Sequence, residues 1–250
     1  MTHYELRPMS VGEVIDGAVA IYRSRFPVLV AIAIVTQGVP SLLNISSVLQ
    51  GGIVGSPGLV LFTLFLSLVG GLLAAAASVW VVSEAYLGRE AALWDSLTYA
   101  LGKAWALFVA GLVKYFLITV GTVLFIIPGI VVACALSVVS QVVVLEDKGG
   151  AGSVGRAWDL TKGYRGKALV LGVVVLFLFY LPVMAAGFLT AAVPSLAIVF
   201  GVGGQLIGLL VYPIVVCTFT LYYYDLRVRK EAFDLELLNR ELTGEYEVPA

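Results

Sequence analysis

Charged side chains are scarce in this chain of 250 residues: only 12% are Asp, Glu, Lys or Arg, while 60% are hydrophobic. Soluble domains carry about 25% charged residues. This composition therefore cannot cover a water-facing surface, and it excludes a soluble globular protein. The formal net charge of -1 also excludes a nucleic-acid partner, because phosphate binding needs a clear cationic excess.

Cysteine and histidine are almost absent. The chain has two cysteines, Cys134 and Cys217, and one histidine, His3. The cysteines lie in separate apolar runs, far from any Cys or His partner, which predicts two buried small side chains and neither a disulfide nor a metal site. No cofactor is predicted. Residues 1–26 are polar and mixed in charge, so no removable signal peptide is expected.

All formally charged side chains except Lys114 lie in four stretches. These are residues 1–27, 84–104, 146–167 and 225–250. The apolar gaps between them, 28–83, 105–145 and 168–224, are each long enough to cross a bilayer of about 30 Å and return, since one helical crossing takes about 20 residues. The pattern predicts an all-α fold, a polytopic integral membrane bundle.

Each apolar gap contains one turn signal, which divides it into two helices. The turns are predicted at Gln50–Pro57, Pro128-Gly129 and Val193-Pro194-Ser195. The six transmembrane helices are predicted at 28–49, 58–83, 105–127, 129–145, 168–193 and 196–224. They form one membrane domain, residues 1–224, followed by a cytoplasmic helical tail, residues 225–250.

The basic residues predict the orientation. All but one of the Lys and Arg side chains lie in the four charged stretches, and the three turns carry no charge. The positive-inside rule therefore places both termini and the two long loops in the cytoplasm of a cell carrying this protein in its plasma or inner membrane. No extracytoplasmic catalytic or binding domain is expected in this chain.

Two short motifs recur in the charged stretches. The Ser10-Val11-Gly12 motif recurs at Ser153, and the Trp94-Asp95 motif recurs at Trp158. We interpret them as traces of three parallel repeats, each an amphipathic interfacial helix followed by two transmembrane helices; a chance match is the alternative. Ser10 and Glu13 have the spacing of a capping box, which predicts the start of the first interfacial helix. The apolar face of the second is formed by Leu93, Trp94, Leu97, Leu101 and Trp105.

The end of the chain predicts an interfacial aromatic cluster and then an exposed helix. The aromatic cluster is Tyr222-Tyr223-Tyr224. Opposite charges four residues apart favour the helix; the pairs are Arg227–Glu231, Lys230–Asp234 and Glu236–Arg240. The apolar face of this helix is available to dock on the bundle or on a protein partner. This face is formed by Val228, Leu235, Leu238 and Leu242.

Lys114 is the only charge predicted inside the membrane. It lies nine residues after Trp105, which is about 13 Å along a helix and close to the bilayer midplane. Three interpretations remain open: the side chain snorkels, it bonds to protein groups, or it binds an anion or a lipid headgroup. Its candidate polar neighbours are Gln37, Asn44, Gln141, Tyr180, Gln205 and Tyr212.

Five stretches, which start at Arg7, Ile127, Val142, Arg156 and Leu221, are distributed over nearly the whole chain. Their sequences resemble the prokaryotic glycerophosphoryl diester phosphodiesterase membrane-domain family. In that family the membrane module can precede a soluble phosphodiesterase domain with a His-Arg-Gly start and metal-binding acids. This sequence has no His-Arg pair. The resemblance therefore implies a stand-alone membrane module and no phosphodiesterase activity.

Three classes of function follow. The first is an accessory or scaffold module that organises membrane lipids or a protein partner. The second is a small transporter or lipid-handling protein that uses a midplane site around Lys114. A membrane enzyme is not expected, since the predicted spans contain no Asp, Glu or His for acid–base chemistry. The only acids available for such chemistry, Glu84, Glu146 and Asp225, mark the returns to the cytoplasm, and no catalytic residue is assigned.

Overall fold

The computed structural model describes residues 7–49 and 57–231, and these residues form helices and connecting turns without a β-strand. The first half contains α1 (Val11–Ser24), α2 (Phe26–Leu49), α3 (Pro57–Tyr86), α4 (Leu93–Leu124), α5 (Ile126–Ala135) and α6 (Val139–Leu145). The second half contains α7 (Gly150–Thr161), α8 (Arg165–Val175), a π-helical turn (Leu176–Tyr180), α9 (Leu181–Ala192), a 3-10 turn (Pro194–Leu196) and α10 (Ala197–Glu231).

Six segments of these described residues are long and apolar enough to cross a membrane. They are Phe26–Ser47, Pro57–Tyr86, Leu93–Leu124, Ile126–Leu145, Arg165–Leu189 and Ile198–Glu231. The predicted all-α membrane bundle is confirmed. A separate short helix precedes two spans in the first unit, where it is α1, and in the third, where it is α7. Residues 50–56 of the predicted turn at Gln50–Pro57 lie outside the described residues. Pro57, the last residue of that turn, begins α3.

Helix α1 begins with the predicted capping box. The Ser10 hydroxyl accepts a hydrogen bond from the Glu13 amide at 3.3 Å, and the Glu13 carboxylate accepts one from the Ser10 amide at 2.6 Å. The Ser10 amide, followed by the Arg7 guanidinium and the Ser10 hydroxyl, holds the pKa of Glu13 at about 2. The helix buries Val14, Ala18 and Ile21, so its apolar face packs against protein.

The second interfacial helix is not a separate element, which corrects the prediction. Helix α4 runs without interruption from Leu93 to Leu124 and takes in both the amphipathic segment and the third membrane span. Its sequence contains no proline. By contrast, the other two short helices are separated from the spans that follow them. Pro27 is the second residue of α2, shortly after the end of α1. Gly163, between α7 and α8, has a φ of 90°, a backbone region that glycine adopts without steric cost.

The reversal between the third and fourth spans comes at Phe125, three residues before the predicted Pro128-Gly129 turn. Pro128 instead lies in the first turn of α5, where its missing N–H costs no intrahelical hydrogen bond. Gly129 permits the tight hairpin, because a Cβ atom there would lie 2.2 Å from Thr122 Oγ1 and 2.8 Å from Thr122 Cα.

Helices α2 and α3 approach closely at Gly70, as the glycine- and alanine-rich run predicts. Pro40 has no N–H to donate to the Thr36 carbonyl in α2, so that oxygen has no helical partner. A Cβ atom at Gly70 would lie only 2.1 Å from it. The Thr36 carbonyl thus lies so close to α3 that only glycine, which has no Cβ atom, fits at position 70.

Packing is dense at one end of the bundle and loose at the other. Buried residues of α3 begin at Gly70 and continue to Tyr86, while those at the start of the helix are exposed or half-buried. In α10, Tyr222, Tyr223 and Leu226 are fully buried. Towards the opposite end, large apolar side chains such as Leu61, Phe65 and Val123 are exposed, as lipid contact requires.

Gly70→Ala should lower the free energy of unfolding by about 1–3 kcal/mol, the usual cost of overpacking, because its methyl group would collide with the Thr36 backbone. Thermal unfolding in mild detergent measures the effect. Gly172→Ala is the control, since a Cβ atom at Gly172 would have no neighbour within 4 Å. Equal unfolding temperatures for the two variants would contradict the close approach.

Candidate functional site

Lys114 lines a cavity of about 300 Å³ between α3, α4, α6 and α10. Its wall includes the polar residues Tyr115 of the same helix, Ser67 of α3, Ser140 of α6 and Tyr212 of α10. Lys114 lies ten residues before the end of α4, or about 15 Å along the helix axis. Tyr212 lies fifteen residues into α10, or about 22 Å from its start. The cavity therefore lies far from the ends of both helices along their axes.

The Lys114 ammonium has no hydrogen bond or ion pair with any residue of the described ranges. Its nearest recorded electrostatic contact is the Tyr115 ring, whose centroid lies 5.9 Å from Nζ. A lysine near the bilayer centre costs at least about 2.5 kcal/mol on insertion scales and by default marks a functional site. The arrangement leaves a cation in a cavity with room for a partner.

A second cavity, of about 200 Å³, adjoins the same part of the bundle. Gln37 and Ser41 of α2 and Gln205 and Tyr212 of α10 line it. Tyr212 belongs to both cavity walls. A further link is the Gln37 amide, which donates to the Ser67 carbonyl at 3.3 Å, since Ser67 lines the Lys114 cavity.

The polar groups around these cavities differ from other polar groups in the spans. The hydroxyls of Thr36, Thr63, Thr122 and Thr218 each donate to the carbonyl four residues earlier in their own helix, which satisfies them without a ligand. The Tyr212 hydroxyl and the Gln205 amide make no hydrogen bond to any described residue. Tyr212 and Gln205 therefore bring open polar groups to the cavity walls, while Gln141 Oε1 and Thr220 Oγ1 are open among the described residues away from both cavities.

The structure brings together only some of the candidate residues. Lys114 and Tyr212 share one cavity, while Gln37 and Tyr212 share the other. Tyr180 is close enough to Tyr212 to interact with it electrostatically. Asn44 lines neither cavity and donates to the Pro40 carbonyl of its own helix at 3.0 Å. Gln141 is buried in the first turn of α6, and its Oε1 has no hydrogen-bond partner among the described residues.

Sequence reasoning did not assign Ser41, Ser67, Tyr115 and Ser140 to the site. Serine is common in membrane helices, where its hydroxyl usually bonds to its own backbone, so residue type alone gives no signal. Tyr115 is adjacent to Lys114 in sequence, and this adjacency was the one available indication.

The three acids at the returns of the chain take part in ion pairs at the densely packed end of the bundle. The Asp225 carboxylate is fully buried and accepts hydrogen bonds from the Met9 amide at 2.7 Å, from Lys167 at 2.6 Å and from Arg229 at 3.0 Å. Lys167 and Arg229 also donate to the Met9 carbonyl. This group, the Asp225 cluster, joins α8, α10 and the segment that precedes α1.

Glu146 and Glu84 bind other cations. Glu146 accepts hydrogen bonds from Arg156 at 2.7 Å and from the Tyr223 hydroxyl at 3.0 Å. Partial burial acts to lower the pKa of the Arg156 guanidinium, but hydrogen bonds to Glu146 and Glu231 outweigh it and raise that pKa. Glu84 pairs with Arg89 at 2.9 Å. Each carboxylate thus has a structural partner.

The three tyrosines before Asp225 are buried in the bundle and do not face lipid, which corrects their interpretation as an interfacial cluster. Successive helix residues point about 100° apart, so the three side chains reach three different elements. The Tyr222 hydroxyl donates to the Tyr164 carbonyl at 3.0 Å, Tyr223 binds Glu146, and Tyr224 lies 2.6 Å from the Ser83 hydroxyl.

Helix α10 continues past Asp225 to Glu231, so the tail does not begin as a separate helix at Asp225. The predicted Arg227–Glu231 pair is present at 2.9 Å, and Val228 is buried. The other tail residues used in the prediction lie outside the described residues; they are Asp234, Leu235, Glu236, Leu238, Arg240 and Leu242.

Asp225→Asn should lower the free energy of unfolding by about 3 kcal/mol, because it leaves the partly buried Lys167 and Arg229 cations without their anion. Asp159→Asn removes the same charge from an exposed position and should change stability by less than about 0.5 kcal/mol. Thermal unfolding in detergent compares the two. A loss of equal size in both variants would show that the Asp225 cluster has no special role.

Comparison of the chain with models of protein families, with curated proteins and with solved structures gives no match.

Proposed function

We propose that this chain is a multi-pass membrane protein that binds an anionic group, the headgroup of a lipid or a small solute, in the Lys114 cavity and moves or presents it within the bilayer. The observation that carries the proposal is the Lys114 ammonium, which lines a cavity of about 300 Å³ without an ion pair or hydrogen bond in the described part of the chain. An anion in this cavity would supply the missing partner.

Protein groups cannot supply that partner from the spans. Apart from Lys114, residues 28–83, 105–145 and 168–224 contain no charged side chain. Snorkelling is also a poor solution. Trp105 at the cytoplasmic interface is about 13 Å away along the helix axis and the opposite end of α4 is about 15 Å away, whereas a stem of four methylene groups is much shorter than either distance. We propose that an anion from outside the spans supplies the negative charge.

The surrounding groups suit a phosphate or a carboxylate. Tyr212, Ser67 and Ser140 line the cavity. Their hydroxyl groups can donate hydrogen bonds, and hydrogen bonds to charged groups are roughly twice as strong as neutral ones. Low dielectric inside the bundle strengthens the attraction of an anion to Lys114. Recognition of this kind needs no catalytic group, and we propose no enzymatic activity.

The second candidate is the accessory or scaffold role, which agrees with the resemblance to the glycerophosphoryl diester phosphodiesterase membrane domain. Residues from four of the resembling segments meet at the densely packed end, including Met9, Glu146, Arg156 and Asp225. These motifs maintain architecture by direct hydrogen bonds. A rigid module of this kind is suited to hold a protein partner in the membrane. This proposal includes a contact between the partner and the 225–250 tail.

We further propose that the protein lies in the cell membrane with both termini in the cytoplasm, as the positive-inside rule predicts. The test uses a chain with Cys134→Ala and Cys217→Ala. In intact cells, an impermeant maleimide should label Ser195→Cys, which is exposed in the turn before α10. Gly152→Cys, exposed in α7, should react only after the cells are permeabilised. The opposite pattern would reverse the orientation.

Lys114→Met should abolish ligand binding without unfolding the bundle. The substitution removes a charge that has no protein partner, so the unfolding temperature of the ligand-free protein should stay the same or rise. Native mass spectrometry of protein extracted gently from its own membrane should show an adduct that Lys114→Met lacks and Lys114→Arg retains. Thr122→Val is the control, because its hydroxyl bonds within α4.

Two outcomes would contradict this function. Identical adducts in the original chain and in Lys114→Met would show that no ligand depends on the ammonium. A large fall in the unfolding temperature of Lys114→Met, in the absence of ligand, would assign Lys114 to the structure of the bundle. Either result would leave the scaffold role as the better candidate.

A further inference from the structure

We propose that the ligand is an anion that carries uncharged hydroxyl groups, with its anionic group beside Lys114 and its hydroxyls in the second cavity beside Gln37, Ser41 and Gln205. This inference rests on the proposed function, since it extends the Lys114 site into a site with two compartments. It defines the ligand class as a hydroxyl-bearing phosphate or carboxylate.

The two cavities form one site because they share structural parts. Tyr212 contributes to both walls. Gln37 lines the second cavity, and its amide donates to the backbone of Ser67, which lines the first. The two cavities therefore adjoin at Tyr212, and a ligand with its charge at Lys114 would extend past this side chain to place its other end in the second cavity.

The second cavity has the chemistry of a hydroxyl site. None of the described residues that line it is charged, so an ion would find no counter-charge among them. The Gln205 amide and the Ser41 hydroxyl make no hydrogen bond to the described residues, and Gln37 uses only its Nε2 group. Amides and hydroxyls both donate and accept, and a hydroxyl is the uncharged group that matches both functions.

An acyl chain is a poor occupant of the same space. Burying these amides against hydrocarbon would leave their hydrogen-bonding groups unsatisfied, which costs free energy at each group. The chain also satisfies polar groups locally where it can. Asn44, in the same helix as Gln37, donates to the Pro40 carbonyl, whereas Gln37, Ser41 and Gln205 all lie on the cavity.

The helix backbone adds an acceptor near this compartment. Pro213 lies inside α10 and has no N–H to donate to the Leu209 carbonyl. Leu209 and Gly208 line the second cavity. The proline thus removes a backbone hydrogen bond in the segment of α10 that carries Gln205 and Tyr212.

The test compares probes that differ only in hydroxyl groups. Phosphatidylglycerol and phosphatidylethanol, with identical acyl chains, both carry a phosphodiester, but only the first has free hydroxyls. Glycerol phosphate and propyl phosphate make the same comparison for a soluble anion. Binding is measured by native mass spectrometry titration of the full chain in detergent, and the pair that binds identifies the source of the ligand as lipid or solute.

The original chain should bind the hydroxyl-bearing probe at least about tenfold more tightly than its partner, because the partner leaves polar groups of the site unsatisfied. Gln205→Met keeps a side chain of similar length without the amide, and it should reduce this ratio to about one while the probe without hydroxyls still binds. Asn44→Leu, which removes an amide outside both cavities, should leave the ratio unchanged. Lys114→Met should lose both probes.

The failures are distinguishable. If binding depends on Lys114 but the original chain does not discriminate between the paired probes, or if Gln205→Met keeps the ratio, the second compartment is overturned and the Lys114 site stands. If neither pair binds in a manner that depends on Lys114, both the proposed function and this inference are overturned. Unfolding temperatures of all variants verify that each loss is a loss of binding.

Discussion

The bundle depends on one buried carboxylate. Asp225 is withdrawn completely from water and accepts hydrogen bonds from the Met9 amide, Lys167 and Arg229. A buried anion is tolerated only when its partners are held in place, since an uncompensated charge costs several kcal/mol. The three partners come from widely separated parts of the chain, so satisfying this carboxylate fixes the end of α10 against the first and third units.

This constraint explains where the bundle is dense and where it opens. The tyrosines just before Asp225 fill the space around α10 and bond to the ends of neighbouring elements. Earlier in α10, at Gln205 and Tyr212, no such network exists among the described residues. Two cavities lie beside this part of the helix. The ionic end fixes α10 to its neighbours, and the cavities lie in the part of α10 that has no such network.

The spans could be predicted from sequence because lipid imposes a simple requirement on composition and length. Helix breaks were less predictable. The run from Leu93 to Leu124 changes from amphipathic to apolar without a residue that interrupts a helix, so composition suggested two elements where the backbone forms one. Site geometry was least predictable: Asn44 reaches its own backbone, while the longer Gln37 reaches Ser67 of another helix, and only the packing of α2 on α3 decides this.

Asp225 and Lys114 are both charges within the helices of the bundle, but only Asp225 has counter-charges among the described residues. This difference bears on function. Asp225 has its counter-charges built into the protein, so it stabilises the fold permanently. Lys114 has no ionic partner among the described residues, and under the proposed function a bound anion would offset part of the cost of placing this charge in the membrane. A ligand that binds only the folded bundle stabilises it by RT ln(1 + [L]/Kd). If Lys114 is a binding site, its contribution to the free energy of unfolding depends on the ligand concentration. The contribution of Asp225 does not, and this is the physical difference between a binding site and a structural ion cluster.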